Sequence, residues 1–211
     1  MLNKKSGGFT LIELIITIVI LVILTSIAFP SFVDTIDRRR VINATSEMVN
    51  QIQLARSISI VRNVEVELHV QVDNQAWCVG LTDDLINGCN CFATEIVTDS
   101  DGAITDNTCT VGIPELGNDE RIEARILSAN FPGVVLKEAQ TTPFVIPAII
   151  SPIRFEPTRG MRSDATRATD ASYTFESNRG IATTTSVNII GRVSTCSPTS
   201  DSLLGGISPC L

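Results

Sequence analysis

Residues 9–29 are apolar at almost every position and carry one charge, Glu13. At about 1.5 Å per residue such a run makes a helical rod of roughly 30 Å, the thickness of bilayer hydrocarbon. Its many β-branched residues are tolerable there, because lipid forces the backbone to satisfy its own hydrogen bonds as a helix. Further on the pattern changes. Val41, Thr45, Met48, Ile52, Ala55 and Ser59 recur at spacings of four and three, one stripe of a helix packed on a core. Residues 30–62 are therefore expected to continue the same helix as an amphipathic half. Pro30 lacks an N–H and is expected to kink it near the membrane exit. Arg38, Arg39 and Arg40, just beyond, read as headgroup contact and solvation.

Residues 64–72 alternate apolar and polar without a fault, which predicts a half-buried strand with His69, the sole histidine, on its solvated face. Asp73-Asn74 is turn chemistry. Residues 75–81 form the returning strand, with Trp77 as a core anchor. Residues 121–127 and 133–137 read as short strands. Pro143, Pro147, Pro152 and Pro157 break the next run into loops and an edge strand at 153–155. Residues 172–175, the turn Asn178-Arg179-Gly180 and Ile181 onward read as a hairpin, and 186–193 as the last strand.

The chemistry of the amino terminus changes the picture most. A secretory signal places its small-residue cleavage site after the apolar core. Here Gly7-Gly8 precedes the core and follows Lys4-Lys5. A cut after Gly8 would remove the basic leader, residues 1–8, and leave the apolar helix on the mature chain. Until then the lysines would hold the amino terminus in the cytoplasm. A buried charge such as Glu13 calls for a partner. The new ammonium on Phe9 would lie about one helical turn away, in the same chain or in a neighbour stacked beside it.

Gly8-Phe9-Thr10-Leu11-Ile12-Glu13, with the apolar run and Pro30, resembles the prepilin junction of type IV pilins and type II secretion pseudopilins. The resemblance implies cleavage between Gly8 and Phe9 by an inner-membrane prepilin peptidase, N-methylation of Phe9, and pairing of Glu13 with a neighbour's amino terminus during assembly. The implied fold is α+β, the pilin fold. A long N-terminal helical spine, with a transmembrane and polymerisation half at 9–29 and an amphipathic half at 30–62, packs on an antiparallel β-sheet domain at 63–211.

Composition agrees with one soluble domain beyond the membrane segment. The chain has 211 residues and a net charge of −7, which becomes more negative when the leader lysines leave. Between Asp73 and Glu120 there are ten acidic residues and no Lys or Arg, whereas 151–195 holds six arginines against four acids. Residues 82–120 therefore read as an acidic, loop-rich insertion. All six cysteines lie past the apolar run, on the side expected to be periplasmic, where disulfides persist. Cys196 is expected to pair with Cys210. Cys89 and Cys91 are too close to pair with each other and should take Cys78 and Cys109, in an order the sequence leaves open. Their spacing does not suit zinc. Asp99, Asp101, Gly102 and Asp106 lack the distal Glu of a calcium loop. No metal, cofactor or catalytic constellation is expected, and the chain reads as a non-enzyme.

A second resemblance lies in residues 153–160, Ile-Arg-Phe-Glu-Pro-Thr-Arg-Gly, and in Asn188-Ile-Ile-Gly191-Arg192-Val193. Both are similar to the C-terminal sheet of the GspH/FimT minor pilins. It implies a minor subunit that primes or caps assembly of a pilus or secretion pseudopilus. Its partners would be other minor and major pilins or pseudopilins, the peptidase, an inner-membrane assembly platform and the membrane itself. The alternatives are a DNA-uptake or adhesion subunit at a pilus tip and a pseudopilin engaging secreted cargo. Some relatives take up DNA through Gly-Arg-x-Arg. Here the run is Gly191-Arg192-Val193-Ser194, without the second arginine and its phosphate contact. Arg192 and Arg179 are the candidate DNA contacts.

Overall fold

The structure, a computed structural model, describes residues 10–86, 88–93, 108–112, 121–138, 148–164, 168–198 and 206–210. The chain divides into two compact units, Met1–Asp37 and Arg38–Leu211. One helix, α1, runs Leu11–Arg62 without a break through Pro30. It stops at Asn63, whose φ of 54° is left-handed. Val64 N–H then donates to the Ser59 carbonyl at 3.2 Å. This is the hydrogen-bond pattern of a Schellman motif, with Asn in the place usually held by Gly.

In the first unit the large apolar side chains from Leu11 to Leu24 are exposed, from Ile15 at 47% to Leu11 at 76%, whereas Val33 and Ile36 are half-buried. Among the described residues no helix is long and apolar enough to cross a membrane.

In the second unit the helical stripe is fully used. Val41, Thr45, Met48, Ile52, Ala55 and Ser59 are all buried, and Ala44 joins them. They meet two antiparallel four-stranded sheets. Among the described residues ten strands follow the helix: β1 Val66–Asp73, β2 Ala76–Thr82, β3 Thr110–Gly112, β4 Arg121–Glu123, β5 Arg125–Leu127, β6 Val134–Glu138, β7 Ala148–Phe155, β8 Ala171–Ser177, β9 Ala182–Val187 and β10 Val193–Cys196. The first sheet has the order β5-β2-β1-β7, the second β10-β9-β8-β6, and β3 pairs with β4. This is the expected α+β architecture of a helix on antiparallel sheets.

Register divides the first sheet cleanly, since successive side chains point to opposite faces. Leu68 lies opposite Leu81, Val70 opposite Val79 and Val72 opposite Trp77, and these point into the core. Trp77 spans to the second sheet. Its Nε1 donates to the Val134 carbonyl at 2.9 Å, and its ring stacks on Phe131 and meets Phe175 edge-on. Thr45 of the helix hydrogen-bonds Thr183 of β9.

Four expectations need correction. His69 is not solvated: it is 7% exposed and bonded to Glu67. The strand expected at 153–155 is longer, β7, and admits Pro152 because it is an edge strand whose ladder shifts register between Leu68 and Val70. The strand expected at 121–127 is two, β4 and β5, separated at Ala124. The strand expected at 186–193 is two as well. β9 ends at Val187, Asn188 and Gly191 make a turn in which Gly191 N–H donates to the Asn188 carbonyl, and β10 begins at Val193.

Candidate functional site

Gly8 and Phe9 lie outside the described residues. Thr10 opens the helix. Its Oγ1 accepts from the Glu13 N–H at 3.4 Å, and its carbonyl accepts from Leu14 N–H at 3.3 Å. Thr10-x-x-Glu13 is thus the sequence of a capping box, with Glu13 in the first turn. A carboxylate there also faces the positive end of the helix dipole. The sequence held this signal at Thr10, and reading Glu13 as a membrane charge alone passes over it. Glu13 is exposed, as are the large apolar residues from Leu14 to Leu24. The side chain of Pro30 is outside the description.

The second locus is the C-terminal hairpin. Arg162 N–H donates to the Ile189 carbonyl at 2.9 Å, and Ser59 Oγ donates to the Glu156 carbonyl at 3.4 Å. The 156–162 loop is thereby fixed to the helix on one side and to the 188–192 turn on the other. Gly160 and Gly191 approach so closely that a Cβ on Gly191 would stand 2.8 Å from the Gly160 carbonyl, with Arg56 lying along both. Ile189 and Ile190 are exposed at 43% and 51%, beside exposed Arg192 and Arg159. The two runs that carried the second resemblance therefore meet in space. Arg179 and Arg192 do not. Arg179 sits in the β8–β9 turn and Arg192 in the β9–β10 turn, at opposite ends of β9, roughly 20 Å apart at strand rise.

The third locus is the outer face of the first sheet. Glu67, His69 and Gln71 of β1 lie opposite Thr82, Gly80 and Cys78 of β2. All three polar side chains are buried: Gly88 lies against the His69 ring, and Cys89 and Cys91 lie against Gln71. Glu67 accepts from Arg154 at 2.9 and 2.6 Å and meets His69 Nε2 at 3.0 Å. The Glu67 hydrogen bonds hold Arg154 above the usual guanidinium range. Gln71 bonds the backbone of Cys89 and Cys91, and Arg125 donates to the carbonyls of Cys91 and Ala93. At the edge, Asp83 takes both Arg62 and Arg121. Burial pushes the Asp83 carboxyl up, but the hydrogen bonds from Arg121 and Arg62 prevail and leave it below the usual value.

Cys78–Cys91 and Cys89–Cys109 staple the turn that holds Cys89 and Cys91, and a third disulfide joins Cys196 to Cys210. The four cysteines form a small apolar cluster of their own with Phe92 and Leu127. Asp99, Asp101, Gly102 and Asp106 lie outside the described residues. Among the described residues no group of His, Cys, Asp and Glu could hold a metal ion.

Residues 3–29 match the family model of the prokaryotic N-terminal methylation motif, and residues 44–195 that of the type II transport protein GspH. Two curated relatives, each a fimbrial protein of Pseudomonas aeruginosa, are 30% identical over 102 residues. The match covers 48% of this chain and 66% of each relative, just under two thirds of their length. A solved structure, the type IV minor pilin FimU of Pseudomonas aeruginosa, aligns with 78% of this chain and 97% of its own at 14% identity, with a TM-score of 0.41. The GspH match takes in the buried half of the helix, both sheets and the hairpin at 188–193. With a methylation motif at its head and that domain behind it, the chain belongs to the GspH family of pilin-like proteins.

Proposed function

We propose that the chain is a minor subunit that primes or caps a type IV pilus or a type II secretion pseudopilus. The leader, residues 1–8, is cut between Gly8 and Phe9 by a prepilin peptidase, and Phe9 is methylated. Residues 9–29 hold the chain in the bacterial inner membrane as a single pass, with the disulfide-bearing domain in the periplasm. An assembly platform then draws the chain into a filament. There Glu13 meets the amino terminus of a neighbouring pilin or pseudopilin, and Pro30 lets the spine bend. The observation that carries this reading is the unbroken exposure of large apolar side chains from Leu11 to Leu24, directly inside the methylation motif. A surface of that kind needs lipid or other apolar helices against it. Mass spectrometry of the mature chain tests it. An amino terminus at methylated Phe9 is expected, and Glu13→Ala should abolish surface filaments or secretion. A mature terminus elsewhere, or filaments and secretion unchanged in Glu13→Ala, overturns it.

A second reading, a DNA-uptake subunit, draws support from exposed Arg192 beside Arg56 and Arg159. Phosphate contacts of that kind weaken as salt rises. Gel shift of the full chain should then show binding at 50 mM salt that Arg192→Ala reduces. Arg179→Ala, at the far end of β9, should weaken it less. No binding at that salt excludes this reading and leaves the assembly role standing.

A further inference from the structure

Cys78 pairs with Cys91 and Cys89 with Cys109, so the two bridges interleave along the chain. The exchanged set, Cys78–Cys89 with Cys91–Cys109, closes loops of nearly the same length. Loop entropy varies only with the logarithm of length and so does not choose between the two sets. Local geometry does. Gln71 lies directly across the ladder from Cys78. Its amide donates to the Cys89 carbonyl at 2.9 Å and accepts from the Cys91 N–H at 3.2 Å. The two bonds grip Cys89-Asn90-Cys91 at both ends. Bringing Cys89 to Cys78 instead would slide this turn by two residues and carry both backbone groups off the Gln71 amide. Gly80 leaves the room that seats the turn, since a Cβ there would stand 3.0 Å from the Cys91 Cβ and 2.5 Å from the Cys109 Cβ.

We infer that Gln71 is the positioning residue that selects Cys78–Cys91 and Cys89–Cys109 over the exchanged pairing. It acts on the backbone of both middle cysteines and takes no part in the thiol chemistry. Each bridge forms by exchange with a disulfide oxidant. With glutathione disulfide, two cysteine thiols lose two electrons and two protons, and the oxidant leaves as two glutathione thiols. The correct pairing seats the turn beside the His69 ring.

The test is oxidative refolding of the full chain in detergent micelles with a glutathione redox buffer. Pairing is then mapped by partial reduction and cyanylation, which cleaves on the amino side of each modified cysteine. Wild type should form the interleaved set. Gln71→Met keeps the length of the side chain without its donor and acceptor. Loss of two ordinary hydrogen bonds should shift the ratio toward the exchanged set by roughly tenfold or more, with Cys196–Cys210 retained. A wild-type ratio in Gln71→Met overturns the inference. If that variant also loses Cys196–Cys210 and so fails to fold, Gln71→Glu is read in its place. It keeps the acceptor for Cys91 and loses the donor for Cys89, so its ratio should shift toward the exchanged set by a few-fold relative to wild type; a wild-type ratio there overturns the inference equally.

Discussion

Arg162 and Asp164, two residues apart in the chain, form a buried bidentate ion pair. Nε lies 3.0 Å from Oδ1 and Nη2 2.7 Å from Oδ2, and the Arg162 side chain has no solvent exposure. Its Nη1 donates to the carbonyls of Thr169 and Val187, each at 2.9 Å. One guanidinium thus ties the loop after β7 to the approach to β8 and the end of β9, just below the hairpin that carries Arg192. Removing one member of such a pair strands the other in a medium where an uncompensated charge is costly, about 3–5 kcal/mol. Asp164→Asn should therefore lower the denaturant midpoint by a corresponding amount with an unchanged slope. Arg162→Met combined with Asp164→Leu should cost less than the sum of the two single changes. Chemical denaturation of wild type, Asp164→Asn, the two single changes and their combination, five proteins, measures both.

Asp83 gives the acid limb of stability a specific source. Its carboxyl is held below its ordinary value of 3.8 by Arg121 and Arg62, against the upward push of burial. The unfolded chain therefore binds this proton more readily than the folded one. The stabilisation is fully present above the ordinary value and is lost as pH falls through the folded one. Asp83→Asn should be less stable than wild type at neutral pH, and the gap should narrow as pH drops below about 4. Urea titrations at several pH values check it, and a gap independent of pH would contradict the role given to the charge.

Tyr173 is the chain's one tyrosine, so its ionisation can be followed without interference. It is 3% exposed, and burial pushes its phenol well above the usual 10.0, with the Asp164 charge adding and the Arg162 charge opposing. A folded value raised above the unfolded one means stability that is complete below pH 10 and is lost as pH climbs further. Phenolate absorbance at 295 nm should stay flat through pH 10 and rise together with loss of the near-ultraviolet signal of Trp77. A free titration near 10 in the folded protein would show that the ring is not shut in.

How far the sequence reached follows the physics of each element. The helical stripe from Val41 to Ser59 was readable because a single periodicity specifies a single buried face. The alternation at 64–72 also stated its two faces correctly. It could not state that Glu67, His69 and Gln71 would be buried, because what lies against His69 and Gln71 comes from a cysteine-bearing turn about twenty positions later. Asn188 and Gly191 were available as turn signals. The β-branched pair between them favoured reading one continuous strand. The Arg162–Asp164 pair looks in sequence like ordinary surface charge, and only the approach of β8 and β9 buries it. The leader junction runs the other way. Its meaning lies in residues at the very start of the chain, and the fold adds only that Thr10 and Glu13 open the helix.

The two turns that flank β9 offer a matched comparison. Gly180 and Gly191 both hold left-handed φ angles, +79° and +76°, but nothing lies within 4 Å of a Cβ added at Gly180, whereas one added at Gly191 would stand 2.8 Å from the Gly160 carbonyl. Alanine at Gly180 should therefore meet backbone strain alone, about 1–2 kcal/mol. Alanine at Gly191 carries the same strain and must also push the Gly160 loop away. That loop is held by Ser59 at the Glu156 carbonyl and by the Arg162 N–H on Ile189, so it cannot yield without breaking bonds. Gly191→Ala should thus be the more destabilising of the two by at least about 1 kcal/mol, a gap within reach of paired thermal or denaturant melts. Equal losses would mean that the hairpin and the 156–162 loop are not locked together, and the exposed Ile189, Ile190 and Arg192 would then belong to a turn free to move instead of a fixed surface.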